Sequence, residues 1–359
     1  MASSPLILVA LAKSALPSIN FTQVRSLPAN HPGLITAAVA TDTNGHHYLI
    51  QEARNAAGNL ELASSVQGAR AVRNSANFSF EIPSLVGETV NQLGKTVQIQ
   101  NFIFGNSVHF DSLRPTDEIL TSLAGTLGEI HSIPLDRIRS TGIPEYSAEQ
   151  FRQAKLAELD RIAASGKIDS QLLTRWEAAL EDLNLFRFQP TVVHGAIEEG
   201  NVLEVDNRIS GIIGWSKLNI SDPAIDFINF ALGADSELLD SVRFGYYGSR
   251  AEADSNLAQR ATLYAELSVA NFLLASIEAG HEDDAEWATA ELVALAESQA
   301  QGNLRHLSTN SFAQTTPVAE PDNHIVISEV SETVIEVEDL RTRPIEVAHE
   351  SDSADDQLF

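Results

Sequence analysis

The sequence predicts an α+β protein with a small β-rich N-terminal lobe, a larger and mainly helical C-terminal lobe, and a disordered acidic tail. Three observations predict it. Apolar, β-branched runs broken by turn residues fill the first hundred positions, helical spacing takes over from Thr116, and the composition changes after about Leu307. The resulting boundaries are 1–102, 103–305 and 306–359. A length of 359 residues leaves room for all three parts, and 43% apolar residues are enough to bury a proper core.

The opening stretch MASSPLILVALAKSALP is apolar but lacks a basic leader, and Lys13 interrupts it. It reads as an amphipathic helix rather than a signal peptide. Leu34–Thr41 is a strand, Asp42-Thr43-Asn44-Gly45 is a turn, and His47–Gln51 returns as the second arm of a hairpin. Over 59–73, Leu60, Ala63, Val66 and Val72 recur on one helical face, and Val97–Phe104 is a further strand. In the second lobe, Thr116-Asp117-Glu118 caps a helix whose Ile119, Leu123, Leu127 and Ile130 share a face. Helices follow over 147–163 and 170–185. Short strands are expected at 191–193, 202–205 and 210–213, with Asp206-Asn207 as a turn, and then helices over 222–232, 238–248, 255–278 and 283–303.

Beyond Leu307 the chain turns to Ser, Thr, Pro, Glu and Asp, a composition that cannot offset the entropy of folding. Within it, HIVISEV and ETVIEVEDL alternate apolar with polar residues. They read either as solvated tail or as a segment that adds a strand to a protein partner's sheet.

The formal charge is −26, distributed as +1 over residues 1–102, −17 over 103–305 and −10 over 306–359. No basic surplus exists to neutralise phosphates, which excludes a nucleic-acid binder. The charge favours a cationic or amine-bearing small molecule in the helical lobe. The absence of cysteine excludes disulfides, thiolate metal sites and a cysteine nucleophile. No run reaches the roughly 18–20 apolar residues of a membrane span, so a cytoplasmic location is expected.

The chemistry lies in TVVHGAIEEGNVLEVDNRISGIIGWSKLNISDPAIDFINFA, residues 191–231. A short strand enters His194-Gly195, a tight loop reaches Asn201, two strands end in Ile213-Gly214-Trp215, and Asp222-Pro223-Ala224-Ile225-Asp226 opens a helix. These elements resemble the aminoglycoside phosphotransferase family, in particular its macrolide-phosphotransferase-like actinobacterial members. That family carries H-G-D-x-x-x-x-N, an I-D-W-like segment and D-P-x-x-D at this spacing. Leu127–Pro134 resembles its L-x-x-x-H-x-x-P helix end, which would give His131 a structural place, and the resemblance covers roughly residues 15–305. It implies a two-lobed, protein-kinase-like fold and transfer of phosphate from ATP or GTP to a small-molecule hydroxyl.

The same resemblance exposes departures. The position that would hold the catalytic-base Asp is Ala196, and the position of the metal-binding Asp is Gly214; Asn201 matches the second metal ligand. His194, Asp222 and Asp226 match residues that brace the loop. The strand Lys that would hold the nucleotide phosphates aligns with Gln51, with Arg54 three residues on. Its helix carboxylate aligns near Ser64 or Ser65, with Glu61 one turn earlier. The purine would lie against the linker Gln100, Asn101 and Phe102.

Alanine and glycine can neither accept a proton nor ligate magnesium, which requires oxygen donors. A positioned base is worth about 10²–10⁴ in rate and an electrostatic stabiliser about 10²–10³, so losing both costs on the order of 10⁴ or more. The expected function is therefore a pseudokinase-like family member with residual ligand or nucleotide binding. ATP or GTP with Mg is its cofactor only if that binding is retained. Two alternatives stand beside it. One is an active antibiotic or metabolite phosphotransferase with an unconventional metal site, in which Glu198 or Glu199 swings a carboxylate inward. The other is an interaction platform acting through the acidic tail.

Overall fold

In the computed structural model, residues 3–27, 33–232, 236–248 and 254–308 are described. Residues 1–313 form one compact unit, and the tail beyond it lies outside the described residues, together with the partner-strand reading of HIVISEV and ETVIEVEDL. The N-terminal elements are α1 (Pro5–Ala15), β1 (Phe21–Leu27), β2 (Ile35–Asp42), β3 (His47–Ala53), α2 (Ala56–Arg73), β4 (Leu85–Val90) and β5 (Thr96–Asn101). The strands form one antiparallel sheet in the order β1-β2-β3-β5-β4.

The hairpin lies where the pattern predicts it. Its turn is locked by Asp42, whose Oδ1 accepts the N–H of Asn44 at 2.8 Å and of His46 at 2.9 Å. Burial acts on the Asp42 carboxyl, yet these donors and the His46 ring outweigh it and hold the carboxyl below its usual range. The alternation of strand side chains sends Ala38, Ala40, Ile50, Val97 and Ile99 to the face covered by Leu8 and Ala12 of α1. On the other face Ile35 and Ala53 meet Leu62 of α2. The 97–104 run stops at Asn101 as strand, because the chain leaves the sheet there for the C-terminal lobe. β1 and β4 carry no clear apolar signal, since both are edge strands without a fully buried residue.

The second lobe comprises β6 (Asn106–Ser107), α3 (Ile119–His131), α4 (Leu135–Arg139), α5 (Ala148–Ala164), α6 (Ser170–Glu181), β7 (Thr191–Val193), β8 (Val202–Val205), β9 (Arg208–Ile212), β10 (Asn219–Ser221), α7 (Ile228–Ala231), α8 (Ser236–Gly248), α9 (Leu257–Ala279) and α10 (Glu282–Ala300). The Asp206-Asn207 turn has φ of 52° and 59°, left-handed values that these two short polar residues tolerate between β8 and β9. The expected Thr116-Asp117-Glu118 cap takes another form: Asp117 instead accepts the N–H of Arg114 at 2.7 Å, and no side chain caps α3. Residues 223–227 form a 3₁₀ turn before the short α7, rather than one helix over 222–232. One core fills the lobe, with Trp176, Trp215, Phe227, Phe230, Tyr246 and Tyr264 fully buried. Among the described residues no helix is long and apolar enough to cross a membrane.

Candidate active site

The loop 194–201 hangs between β7 and β8 and is tied at both ends to one residue, Ile213. The Ile213 carbonyl accepts from His194 Nε2 at 3.0 Å, and the Ile213 N–H donates to the Asn201 carbonyl at 2.9 Å. Because a carbonyl only accepts, Nε2 carries the proton; His194 Nδ1 then accepts the Ala196 N–H at 3.2 Å. The fully buried ring stands edge-on to Trp215, with centroids 4.5 Å apart. Burial pushes the His194 pKa down, against the opposing pull of Asp226, so the imidazole is held neutral. Gly195 adopts φ +79°, and a Cβ there would lie 2.6 Å from the Lys217 carbonyl oxygen, which explains the glycine.

Asp226 anchors the start of the loop. Its two oxygens accept the N–H groups of His194 at 2.8 Å and Gly195 at 2.7 Å, and Oδ2 lies 3.0 Å from His131 Nε2. His131 Nδ1 in turn lies 2.8 Å from the Tyr246 hydroxyl. Asp222 caps the following turn through the Ala224 N–H at 2.9 Å, and it is gripped by Arg260 through Nε at 2.7 Å and Nη2 at 3.0 Å. The Tyr264 hydroxyl donates to the same carboxylate at 2.6 Å. Burial alone would weaken the Arg260 charge. The Asp222 charge and the hydrogen bonds that Arg260 donates to Asp222 and Asp254 reverse this and raise its pKa, while burial and Asp222 drive the Tyr264 pKa well up. Arg260, Tyr264 and Tyr246 were invisible in the motif, since each stands many residues from the carboxylate or histidine it serves.

The positions expected to carry chemistry cluster at the mouth of this loop. Asn201 is buried, and its Nδ2 donates to the Ala196 carbonyl at 3.1 Å and to Glu198 Oε1 at 3.2 Å. Gly214 has φ +77° and ψ +44°, and a Cβ built there would sit 2.2 Å from Asn201 Oδ1. The Asn201 carboxamide thus fills the space a side chain at 214 would enter. The two loop glutamates diverge: Glu198 turns in toward Asn201, while Glu199 turns out, its Oε1 2.7 Å from His109 Nδ1.

Above the loop, α2 rests on the segment after Gly214. Gly68 lets the Trp215 carbonyl approach so closely that a Cβ would lie 2.2 Å from it. Gln51 lies on β3, paired with Gln98 of β5. In the linker, the Asn101 N–H donates to the Ser84 carbonyl and the Phe102 N–H to the His47 carbonyl, each at 3.1 Å, so both donors serve the fold. Phe102 and Phe104 stack edge-on at 5.0 Å beside His47, and Gln100 is buried beside α2.

Taken with the two-lobed fold, this loop defines a kinase-like phosphotransferase framework. The profile of the APH phosphotransferase enzyme family matches residues 69–262, and the chain belongs to that family. Its fold is that of macrolide 2'-phosphotransferase MphH from Brachybacterium faecium, at 19% identity over 80% of this chain and 96% of that one, with a TM-score of 0.64. The GDP complex of wild-type aminoglycoside 2'-phosphotransferase-IIIa superimposes with a TM-score of 0.66 at 17% identity, over 84% of this chain and 100% of that one. In sequence the chain is 24% identical over 121 residues to the uncharacterised protein YcbJ of Bacillus subtilis strain 168; the match spans 33% of this chain and 40% of YcbJ.

Proposed function

We propose that this phosphotransferase-family protein is a pseudokinase-like member, in which the fold persists and phosphate transfer is lost or very weak. The observation that carries the reading is the packing of Asn201 into the space of a side chain at 214, together with a methyl group at 196. A magnesium ion bridging phosphates takes an octahedral set of oxygen ligands, keeps several of them as water, and is held to the protein through one or two carboxylates. At the positions the family uses, one carboxamide oxygen is offered and no carboxylate, so the donor set does not fit the ion. Residual binding of a nucleotide, or of an amine-bearing small molecule drawn by the −17 charge of residues 103–305, is the activity this reading retains. The location proposed is cytoplasmic.

Thermal-shift titrations with ATP and GTP, with and without magnesium, run beside an assay of nucleotide turnover, test the reading. Binding without magnesium dependence and turnover at background are expected. Robust magnesium-dependent transfer to a hydroxylated acceptor by the unaltered protein refutes it.

One observation favours a second reading, an active enzyme with an unconventional metal site. Glu198 is a carboxylate inside the loop and lies against Asn201. On that reading magnesium-dependent nucleotide consumption is measurable and disappears in Glu198→Gln, while Glu199→Gln, altered on the outward side, retains it.

A further inference from the structure

Between α2 and the β4–β5 edge of the sheet lies a hollow of about 210 Å³, lined by Arg70, Arg73 and Asn74 from the end of the helix and by Leu85 and Gln100 from the strands. Arg70 and Arg73 are exposed and stand one helical turn apart, a spacing that puts side chains on the same face. Neither side chain makes an ion pair or hydrogen bond with a described residue, in a chain of net charge −26. Basic residues in a last turn complement the helix's carbonyl end, and that accounts for their charge. It does not account for what faces them.

Gln100 is 5% exposed, and its carboxamide has no hydrogen-bond partner among the described residues. The Gln100 amide is not among the fully buried unpartnered atoms: it opens on the hollow, where a ligand can meet it. Here the unpaired amide of Gln100 borders a hollow rimmed by two unpaired guanidinium forks.

We propose that this hollow binds a phosphate-bearing small anion. The guanidiniums of Arg70 and Arg73 supply paired donors that match phosphate oxygens, and the amide N–H groups of Gln100 and Asn74 supply the rest. The hollow contains no residue of the loop at 194–201, and it shares Gln100 with the linker expected to meet the purine.

The test is isothermal titration of the full chain at constant ionic strength with inorganic phosphate and, separately, with glycerol 2-phosphate. Saturable binding is expected, weakened at least tenfold in the Arg70→Gln/Arg73→Gln double variant and several-fold in Gln100→Leu. Arg137→Gln, an exposed cation on α4, should bind as the unaltered chain does. Tighter binding of the ester assigns the site to a phosphorylated metabolite, whereas equal or tighter binding of inorganic phosphate assigns it to free phosphate. Undiminished binding by a folded double variant overturns the proposal, as does the absence of saturable binding of either anion to the unaltered chain. Circular dichroism of each variant separates lost binding from lost fold.

Discussion

Replacing Gly214 with alanine isolates the contact on which the functional reading rests. The new Cβ lies 2.2 Å from Asn201 Oδ1, 2.6 Å from Cγ and 2.9 Å from Nδ2, distances that real atoms do not keep. The backbone at φ +77° is also left-handed, which costs a non-glycine residue about 1–2 kcal/mol. Asn201 must rotate away, and in doing so it gives up the bonds to the Ala196 carbonyl and the Glu198 carboxylate. These are worth about 1 kcal/mol for the neutral bond and about 1.5–3 for the charged one. The total destabilisation is about 3.5–6 kcal/mol. At about 2.1 cal/mol/K of unfolding entropy per residue, a cooperative unit spanning residues 1–313 would lose about 5–9 °C in Tm.

Asn201→Ala removes the same two hydrogen bonds without the left-handed strain. If the two residues compete for one space, the Gly214→Ala/Asn201→Ala double variant loses those bonds once, not twice. Urea unfolding of the four proteins should then show the double variant more stable than the sum of the singles by about 2–4 kcal/mol. Additivity within about 0.5 kcal/mol would refute the competition, and with it the claim that Asn201 occupies the place of a ligand at 214. The same logic bears on Ala196→Asp/Gly214→Asp: it introduces two carboxylates only by displacing Asn201, so it should show a Tm depression of similar size.

Three further outcomes are expected. His194 is held neutral when folded, so below about pH 6.5 the unfolded chain binds a proton that the folded chain does not; stability therefore falls on acidification, by up to about 1.4 kcal/mol per pH unit, and His194→Gln should flatten that part of a stability profile taken between pH 7 and 5. Arg260→Met leaves the fully buried Asp222 carboxylate without its counter-charge and should cost about 3–5 kcal/mol in denaturant unfolding, and a loss below 1 kcal/mol would contradict the pairing. Gly68→Ala pushes α2 off the Trp215 carbonyl and should lower the Tm by a few degrees, for an overpacking cost of about 1–3 kcal/mol, whereas Gly125→Ala in α3, where a Cβ meets nothing within 4 Å, should be neutral or slightly stabilising.

Local signals carried most of the fold. The hairpin at 34–53, the Ser147-capped helix α5 and the β8–β9 turn at Asp206-Asn207 are each specified by residues adjacent in sequence, so periodicity and turn chemistry found them. The bracing of the site was legible only as motif letters. Asp222 is recognisable beside Pro223, but its Arg260 and Tyr264 partners arrive from α9, 38 and 42 residues away, and nothing local marks them. His131 and Asp226 meet across 95 residues for the same reason. Asn201 is the instructive case. Read along the chain, it matches a family metal ligand and stands between Ala196 and Gly214. In three dimensions its carboxamide stands where a side chain at 214 would begin, and its donor is spent on the Ala196 carbonyl and Glu198. The asparagine and the glycine are therefore one packing solution: the glycine leaves a space, and the asparagine, bound to the backbone at 196, fills it. A residue that matches a ligand by position here fills the space beside Gly214, and its identity alone is no measure of metal affinity.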